Sequence, residues 1–86
     1  MTRRWPTRAW REGDGVGTAV YVGDRPGVVV EIATSWPVCV PRAMMVMFAE
    51  GPEPVNLIDL DVINETSWPV REAVRQLRAS LDRGVQ

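Results

Sequence analysis

Residues 23–63 decide the fold of this chain, and they read GDRPGVVVEIATSWPVCVPRAMMVMFAEGPEPVNLIDLDVI. Runs of apolar and β-branched residues end there at clusters of glycine, proline and acidic residues, which is typical of short strands joined by turns. In the first cluster, residues 23–27, Pro26 fixes φ and the glycines accept positive φ. The stretch therefore predicts a small, strongly bent β-barrel.

Five strands are predicted, with turns at residues 23–27 and 50–54 and a loop at 34–37. They cover residues 18–22, 28–33, about 38–49, 55–60, and a brief last strand after a short turn near 61–63. Pro41 lies inside the third of these strands. Because proline lacks a backbone N–H, we expect an edge position or a bulge at this residue.

Strand alternation predicts which side chains form the core. We expect the inward positions to be Val20, Val22, Val28, Val30, Ile32, Val46, Phe48, Val55, Leu57 and Leu60. The inward side of the strand with Val46 and Phe48 is the one implied by the small barrels that this stretch resembles. The same alternation leaves Tyr21, Val29, Met45 and Met47 pointing outward as an apolar patch. Such a patch needs a cover, because leaving it exposed would favour aggregation.

A C-terminal helix is predicted within residues 66–86. Ser67 is a suitable N-cap, Pro69 falls in the first turn, and Gly84 marks the end. One apolar stripe consists of Val70, Ala73, Val74, Leu77 and Leu81, and the opposite face carries Arg71, Arg75 and Arg78. The stripe could cover the outward patch of its own chain or of a neighbouring copy. The short connection at residues 64–68 favours its own chain.

The first twelve residues form a basic arm in which Trp5 and Trp10 alternate with arginines. Interleaved arginine and tryptophan can bind nucleic acid by phosphate contacts and base stacking. The tryptophans can equally fill apolar gaps on the chain's own barrel. Both interpretations stay open, and the predicted organisation is an arm at 1–12, a barrel at 13–65 and a helix at 66–86. The GDGVG stretch at 13–17 is interpreted as a flexible lead-in rather than a phosphate loop, because no strand precedes it and no helix follows it.

Charge is unevenly distributed along the 86 residues, although the net charge is only −1. Residues 1–13 carry +3, residues 14–65 carry −6 and residues 66–86 carry +2. This segregation favours basic ends that fold back on an acidic barrel. An acidic barrel also disfavours specific nucleic-acid binding at physiological salt.

The residue types present argue against catalysis. The sequence has no histidine and a single cysteine, Cys39, in apolar surroundings that predict a buried thiol. Asp59 and Asp61 are the best-spaced carboxylates, but this barrel is too small for a deep pocket. We therefore predict no catalytic residue, no metal and no cofactor, and no small-molecule substrate is evident. No apolar run approaches the roughly 20 residues of a membrane helix, and no secretory signal is recognisable, so we expect a cytoplasmic protein that does not bind membranes.

The order GDRPGVVVEI, MMVMF, a Gly/Pro turn and VNLIDLDVI resembles the Src-homology-3-like small barrels of bacterial and bacteriophage proteins, including the KOW and Tudor-like groups. The resemblance covers about residues 13–63. It implies a mainly β fold, a five-stranded SH3-like barrel, here with an N-terminal arm and a C-terminal amphipathic helix. It also implies a bacterial cytoplasmic location, or the host cytoplasm or virion if the protein is phage-encoded. The barrel serves many tasks, so it does not by itself define a function.

We expect a non-enzymatic protein–protein interaction module, either an adaptor or regulator or a small subunit of a larger, possibly phage, assembly. Four tryptophans and four methionines favour this class, since interfaces are enriched in aromatic residues, Met and Arg. The partner would be another protein or other copies of this chain. The predicted partner-binding residues are Trp5, Trp10, Tyr21, Met45, Met47, Arg71, Arg75 and Arg78. The alternative is a nucleic-acid-binding small barrel that uses the arginine-rich arm and helix.

Overall fold

A computed structural model describes residues 5–35 and 40–84 of the chain. Six strands, one 3-10 helix and one α-helix follow each other along these residues. They are β1 (Thr7–Arg8), β2 (Ala19–Val22), β3 (Arg25–Ser35), β4 (Val40–Phe48), β5 (Gly51–Asn56), the 3-10 helix (Leu57–Asp59), β6 (Asp61–Ile63) and α1 (Trp68–Gly84). The mainly β class and the C-terminal helix are confirmed, whereas the prediction for Cys39 lies outside the described residues.

The strands form one antiparallel sheet in the order β1-β6-β2-β3-β4-β5. The predicted five-stranded closed barrel is therefore wrong on both points. The extra strand comes from the arm, where Thr7 pairs with Ile63 and Arg8 with Val62. The sheet is open, with β1 and β5 at its two edges. On β5, Pro52 and Pro54 each remove a backbone N–H that pairing with another strand would need.

Two turns are tighter than predicted. Val22 pairs with Arg25 and Phe48 pairs with Gly51, so each hairpin loop has only two residues. Gly23 has a φ of +65°, which suits such a two-residue turn. The prolines and glycines that follow each turn belong to strands, and the predicted turns at 23–27 and 50–54 were too long. The predicted fourth strand was displaced, since its second half forms the 3-10 helix.

The sheet curls around an inner core. One buried cluster joins residues from distant strands on the same face of the sheet. It consists of Val20, Val29, Met44, Val46, Phe48, Val55, Leu60 and Val62, with Trp10, Val22, Ile32 and Leu57 packed against it. Val55 on β5 and Val62 on β6 belong to the same cluster although three strands separate β5 from β6. The curl is thus what buries this face. Of the ten predicted core residues, Val28 and Val30 are the two that lie outside this inner core.

A β-bulge explains why neither residue faces the inner core, although Val28 is buried elsewhere, beside the end of α1. Val29 pairs with Val46, but the register shifts before Glu31 pairs with Met45. The extra residue in β3 breaks strict alternation, so Val29 points inward and is fully buried. Val30 is instead 41% exposed. Beyond the bulge, Ile32 faces the inner core again, as predicted.

Two further features fix the pairing of β3 and β4. A Cβ atom at Gly27 would lie 2.6 Å from Val46 Cγ1 and 2.9 Å from the Met47 carbonyl oxygen, so only glycine fits there. A second register shift falls between Ala33 and Thr34, and Thr34 pairs with Pro41. The bulge expected near this proline is therefore present.

The helix packs on the outer face of the sheet, within its own chain. A second buried cluster joins Ala19, Tyr21 and Ile63 of the sheet to Val70 and Val74 of α1, with Trp5 and Leu77 packed against it. The carbonyl of Ser67 accepts a hydrogen bond from the Arg71 N–H at 3.1 Å, so the helix starts where the sequence predicted. No helix in the described part of the chain is long and apolar enough to cross a membrane.

The bulge can be tested with a matched pair of substitutions. Val29→Thr should lower the free energy of unfolding by about 1–3 kcal/mol, because it places a hydroxyl in the inner core. Val30→Thr makes the same chemical change on the exposed side and should stay within about 0.5 kcal/mol of the wild type. Urea unfolding followed by tryptophan fluorescence measures both. Equal effects, or a larger effect at Val30, would contradict the assigned register.

Candidate functional site

The outer face of the sheet is covered unevenly. On β2, the consecutive residues Ala19, Val20 and Tyr21 are all buried, because the inner core covers one side of the strand and α1 covers the other. On β4, burial alternates. Met44, Val46 and Phe48 are buried, while the alternate residues Ala43, Met45 and Met47 are only partly buried. The helix therefore leaves part of β3, β4 and β5 without a complete cover.

This partly uncovered surface is called the open face. It consists of Ala33, Ala43, Met45, Met47, Pro52 and Pro54, with Glu31 beside Met45. Met45 lies at its centre, paired with Glu31 on β3 and with Pro54 on β5. A shallow depression of about 170 Å³ is lined by these three residues together with Ala33 and the β4 residues Ala43 and Met44.

The helix forms one border of the open face. A small cavity of about 130 Å³ separates Met47 from Leu81, near the end of α1. Leu81 itself is buried, so the end of α1 reaches this part of the sheet, and no later described residue of the helix is buried. Met47 is thus at the boundary and Met45 lies beyond it.

The chemistry of the open face suits contact through side chains. Methionine is unbranched and polarizable, so it adapts to irregular partner surfaces. Pro52 and Pro54 lack backbone donors at the edge of the sheet, which disfavours the addition of a further strand there. A partner of this surface would therefore lie on the face rather than extend the sheet.

The arm is docked on its own sheet over residues 5–12. Pro6 contributes a carbonyl that accepts a hydrogen bond from the Asn64 N–H at 2.8 Å, next to the β1–β6 pairing. Trp5 lies between the helix and the sheet, with its ring centroid 6.1 Å from that of Tyr21. Trp10 packs on the opposite side, against the inner core. Of the two interpretations of the tryptophans, the structure shows the filling of intrachain gaps.

An ion pair holds the end of the arm. The Arg8 guanidinium donates to both carboxylate oxygens of Asp14, at 2.8 and 2.9 Å, and the Arg11 N–H donates to the same carboxylate at 2.9 Å. The hydrogen bond from Arg8, aided by the one from Arg11, holds the pKa of Asp14 below its ordinary value. This cluster thereby fixes the loop that leads from the arm into β2.

The helix arginines differ in their surroundings. Arg75 is exposed and pairs with Glu72 on its own helix. Arg78 donates from Nε to the Gly17 carbonyl at 2.7 Å, and its Nη2 lies 3.6 Å from Oε2 of Glu65. Arg71 is exposed and makes no ion pair with another described residue. The predicted arginine stripe is therefore partly used for contacts within the chain.

The eight predicted partner-binding residues do not form one surface. Met45 and Met47 lie together on the open face, Trp5 and Tyr21 lie under or beside the helix, Trp10 packs on the inner core, and Arg71, Arg75 and Arg78 lie on the helix. Within the predicted outward patch, Val29 was wrong because it faces inward. Sequence reasoning missed the contribution of Pro52 and Pro54. Their i, i+2 spacing, which places both on one strand face, was the available signal.

The carboxylates considered for chemistry are separate from the open face. Asp59 lies in the 3-10 helix and Asp61 starts β6. In residues 5–35 and 40–84, no group of three or more acidic or cysteine side chains is placed to hold a metal ion.

The Arg8–Asp14 pair makes a prediction about pH. Asp14→Asn should lower the free energy of unfolding by about 1–2 kcal/mol at neutral pH, since it weakens charged hydrogen bonds. Because the folded-state pKa of Asp14 is lowered, this stabilisation is present above the unfolded-state pKa and is lost as the pH falls through the folded-state pKa. Unfolding curves of both proteins between pH 7 and pH 2 should therefore converge at the acidic end. A constant difference across that range would contradict the role of this ion pair.

Comparison of the chain with protein-family models, with curated proteins and with solved structures finds no match. The functional surface is therefore inferred from the residues and the geometry described above.

Proposed function

We propose that this chain is a non-enzymatic protein–protein interaction module, an adaptor or regulator or a small subunit of a larger assembly, and that it binds its partner through the open face. One observation carries this proposal. In the described part of the chain, the helix covers the β2 and β6 side of the outer face and reaches as far as the cavity beside Met47, while Met45 and its apolar neighbours are only partly buried or exposed.

The energetics favour a partner on this surface. Fully burying a methionine side chain contributes about 1.5–3 kcal/mol relative to leaving it exposed. Met45 and Met47 are only partly buried, so part of that contribution remains available to a partner. Ala33, Ala43, Pro52 and Pro54 add apolar area with little side-chain entropy to lose on binding.

We also infer that the fold is an open variant of the SH3-like small barrel. Four consecutive strands, β2 to β5, form a meander, a 3-10 helix follows, and β6 returns to pair with β2. This connectivity supports the resemblance found in about residues 13–63. The fold alone does not define the partner, so the functional proposal rests on the open face.

Nucleic-acid binding is the less favoured alternative. It would need arginines that are available to phosphates. Arg8 pairs with Asp14, Arg25 with Glu53, and Arg78 with Glu65. These ion pairs compete with phosphate contacts and weigh against the alternative.

Site-specific photo-crosslinking tests the proposal. A photo-reactive amino acid placed at Met45 should capture a defined protein in the cells that produce this chain. The matched control places the same group at Ile58, which is 89% exposed, lies in the 3-10 helix and does not line the depression around Met45. We expect the crosslinked protein at Met45 and not at Ile58, identified by mass spectrometry.

Binding of the captured protein gives the second measurement. Met45→Asp should weaken its affinity by at least about tenfold, because it places a charge at the centre of an apolar contact. Ile58→Asp should leave that affinity unchanged. Equal protein capture at both positions, or an affinity that Met45→Asp leaves unchanged, would contradict the proposed surface.

A further inference from the structure

The largest exposed apolar side chain in the described part of the chain is Trp68, which is 67% exposed at the start of α1. Arg71 follows at i+3, so the two side chains are neighbours on the helix surface. Arg71 is itself exposed and makes no ion pair with another described residue. Trp68 and Arg71 together are called the helix knob, an aromatic ring beside an unpaired cation.

The open face has the complementary arrangement. Its depression of about 170 Å³ is lined by Ala33, Ala43, Met45 and Pro54, and Glu31 lies at the same depression. Glu31 is exposed and, like Arg71, makes no ion pair with another described residue. An apolar depression beside an acid therefore matches an aromatic ring beside a base, and methionine sulfur adds favourable contacts to aromatic rings.

The helix knob cannot occupy the open face of its own chain. The helix starts after β6, whereas Met45 lies on β4, three strand positions away in the sheet order. At roughly 4.8 Å per strand this is about 14 Å, and α1 itself lies across the intervening strands. The contact can form only between two molecules.

We propose that copies of this chain associate head to tail, with the helix knob of one copy seated on the open face of the next and Arg71 paired with Glu31 across the contact. This inference rests on the proposed function and names a second copy as the partner. Because the two surfaces differ, a linear assembly has a free knob at one end and a free open face at the other. It can therefore close into a ring or grow into a filament.

Sedimentation velocity over a range of concentrations tests the association, with tryptophan fluorescence and thermal unfolding to show that each variant is folded. The wild type should form oligomers whose size grows with concentration. Trp68→Ala removes the knob and Met45→Glu disrupts the open face, and each should weaken association by roughly 30-fold or more. The control Ile58→Ala removes another exposed apolar side chain and should associate as the wild type does.

Mixing the two defective variants is the decisive arm. Trp68→Ala keeps its open face and Met45→Glu keeps its knob, so an equimolar mixture should form a one-to-one dimer at concentrations where each variant alone is monomeric. Glu31→Arg should weaken association, and combining it with Arg71→Glu in the same chain should restore it. Both results follow only from a heterologous contact of this geometry.

Three outcomes would overturn the inference. They are a wild type that stays monomeric at all concentrations, association unchanged by Trp68→Ala, and a mixture that forms no dimer. Failure here is distinguishable from failure of the proposed function. A different protein crosslinked specifically at Met45 would retain the function and reject the second copy, whereas no position-specific crosslink at all would reject both.

Discussion

A β-strand points its side chains alternately to two faces, and in this chain both faces carry apolar residues. A single open sheet cannot bury both, so the structure depends on two separate covers. Curling of the sheet closes the inner face around Val46 and Phe48. The outer face is covered by α1 and by Trp5 of the arm. In a chain of 86 residues this cover comes from elements at the two ends of the sequence.

The open face exists because the outer cover ends before the sheet does. Leu81 is the last helix residue that is buried in the described part of the chain, and a small cavity lies between it and Met47. Beyond that point β4 and β5 extend to Met45 and Pro54, and no described residue of the helix lines the depression there. The two prolines of β5 block growth of the sheet sideways while they leave its face available. A partner of the kind proposed above would therefore bind on the face of the sheet rather than along its edge.

Much of this fold could be predicted from local patterns. The helix was predictable because its cap, its apolar stripe and its terminal glycine all agree. The inward residues of β4 were predictable because β4 alternates without interruption from Ala43 to Phe48. The inward position of Val29 was not predictable, since a bulge depends on how β3 pairs with β4 and leaves no clear sign in a run of valines. The pairing of Thr7 and Arg8 with β6 was missed because two residues are too short for an alternation pattern. Met45 and Met47 were predicted as partner-binding from their outward register, but the limit of their helix cover depends on tertiary packing.

The open face depends on one property of β4, which has one buried face and one face that is only partly covered. Three methionines on this strand report on both faces, because Met44 is 2% exposed and faces inward while Met45 and Met47 face outward. Mild peroxide oxidation followed by peptide mass spectrometry gives the rate of sulfoxide formation at each one, with the unfolded protein as the reference. We expect rapid oxidation at Met45, slower oxidation at Met47 beside the helix, and strong protection of Met44 that disappears on unfolding. Equal protection of Met44 and Met45 in the monomer would contradict it.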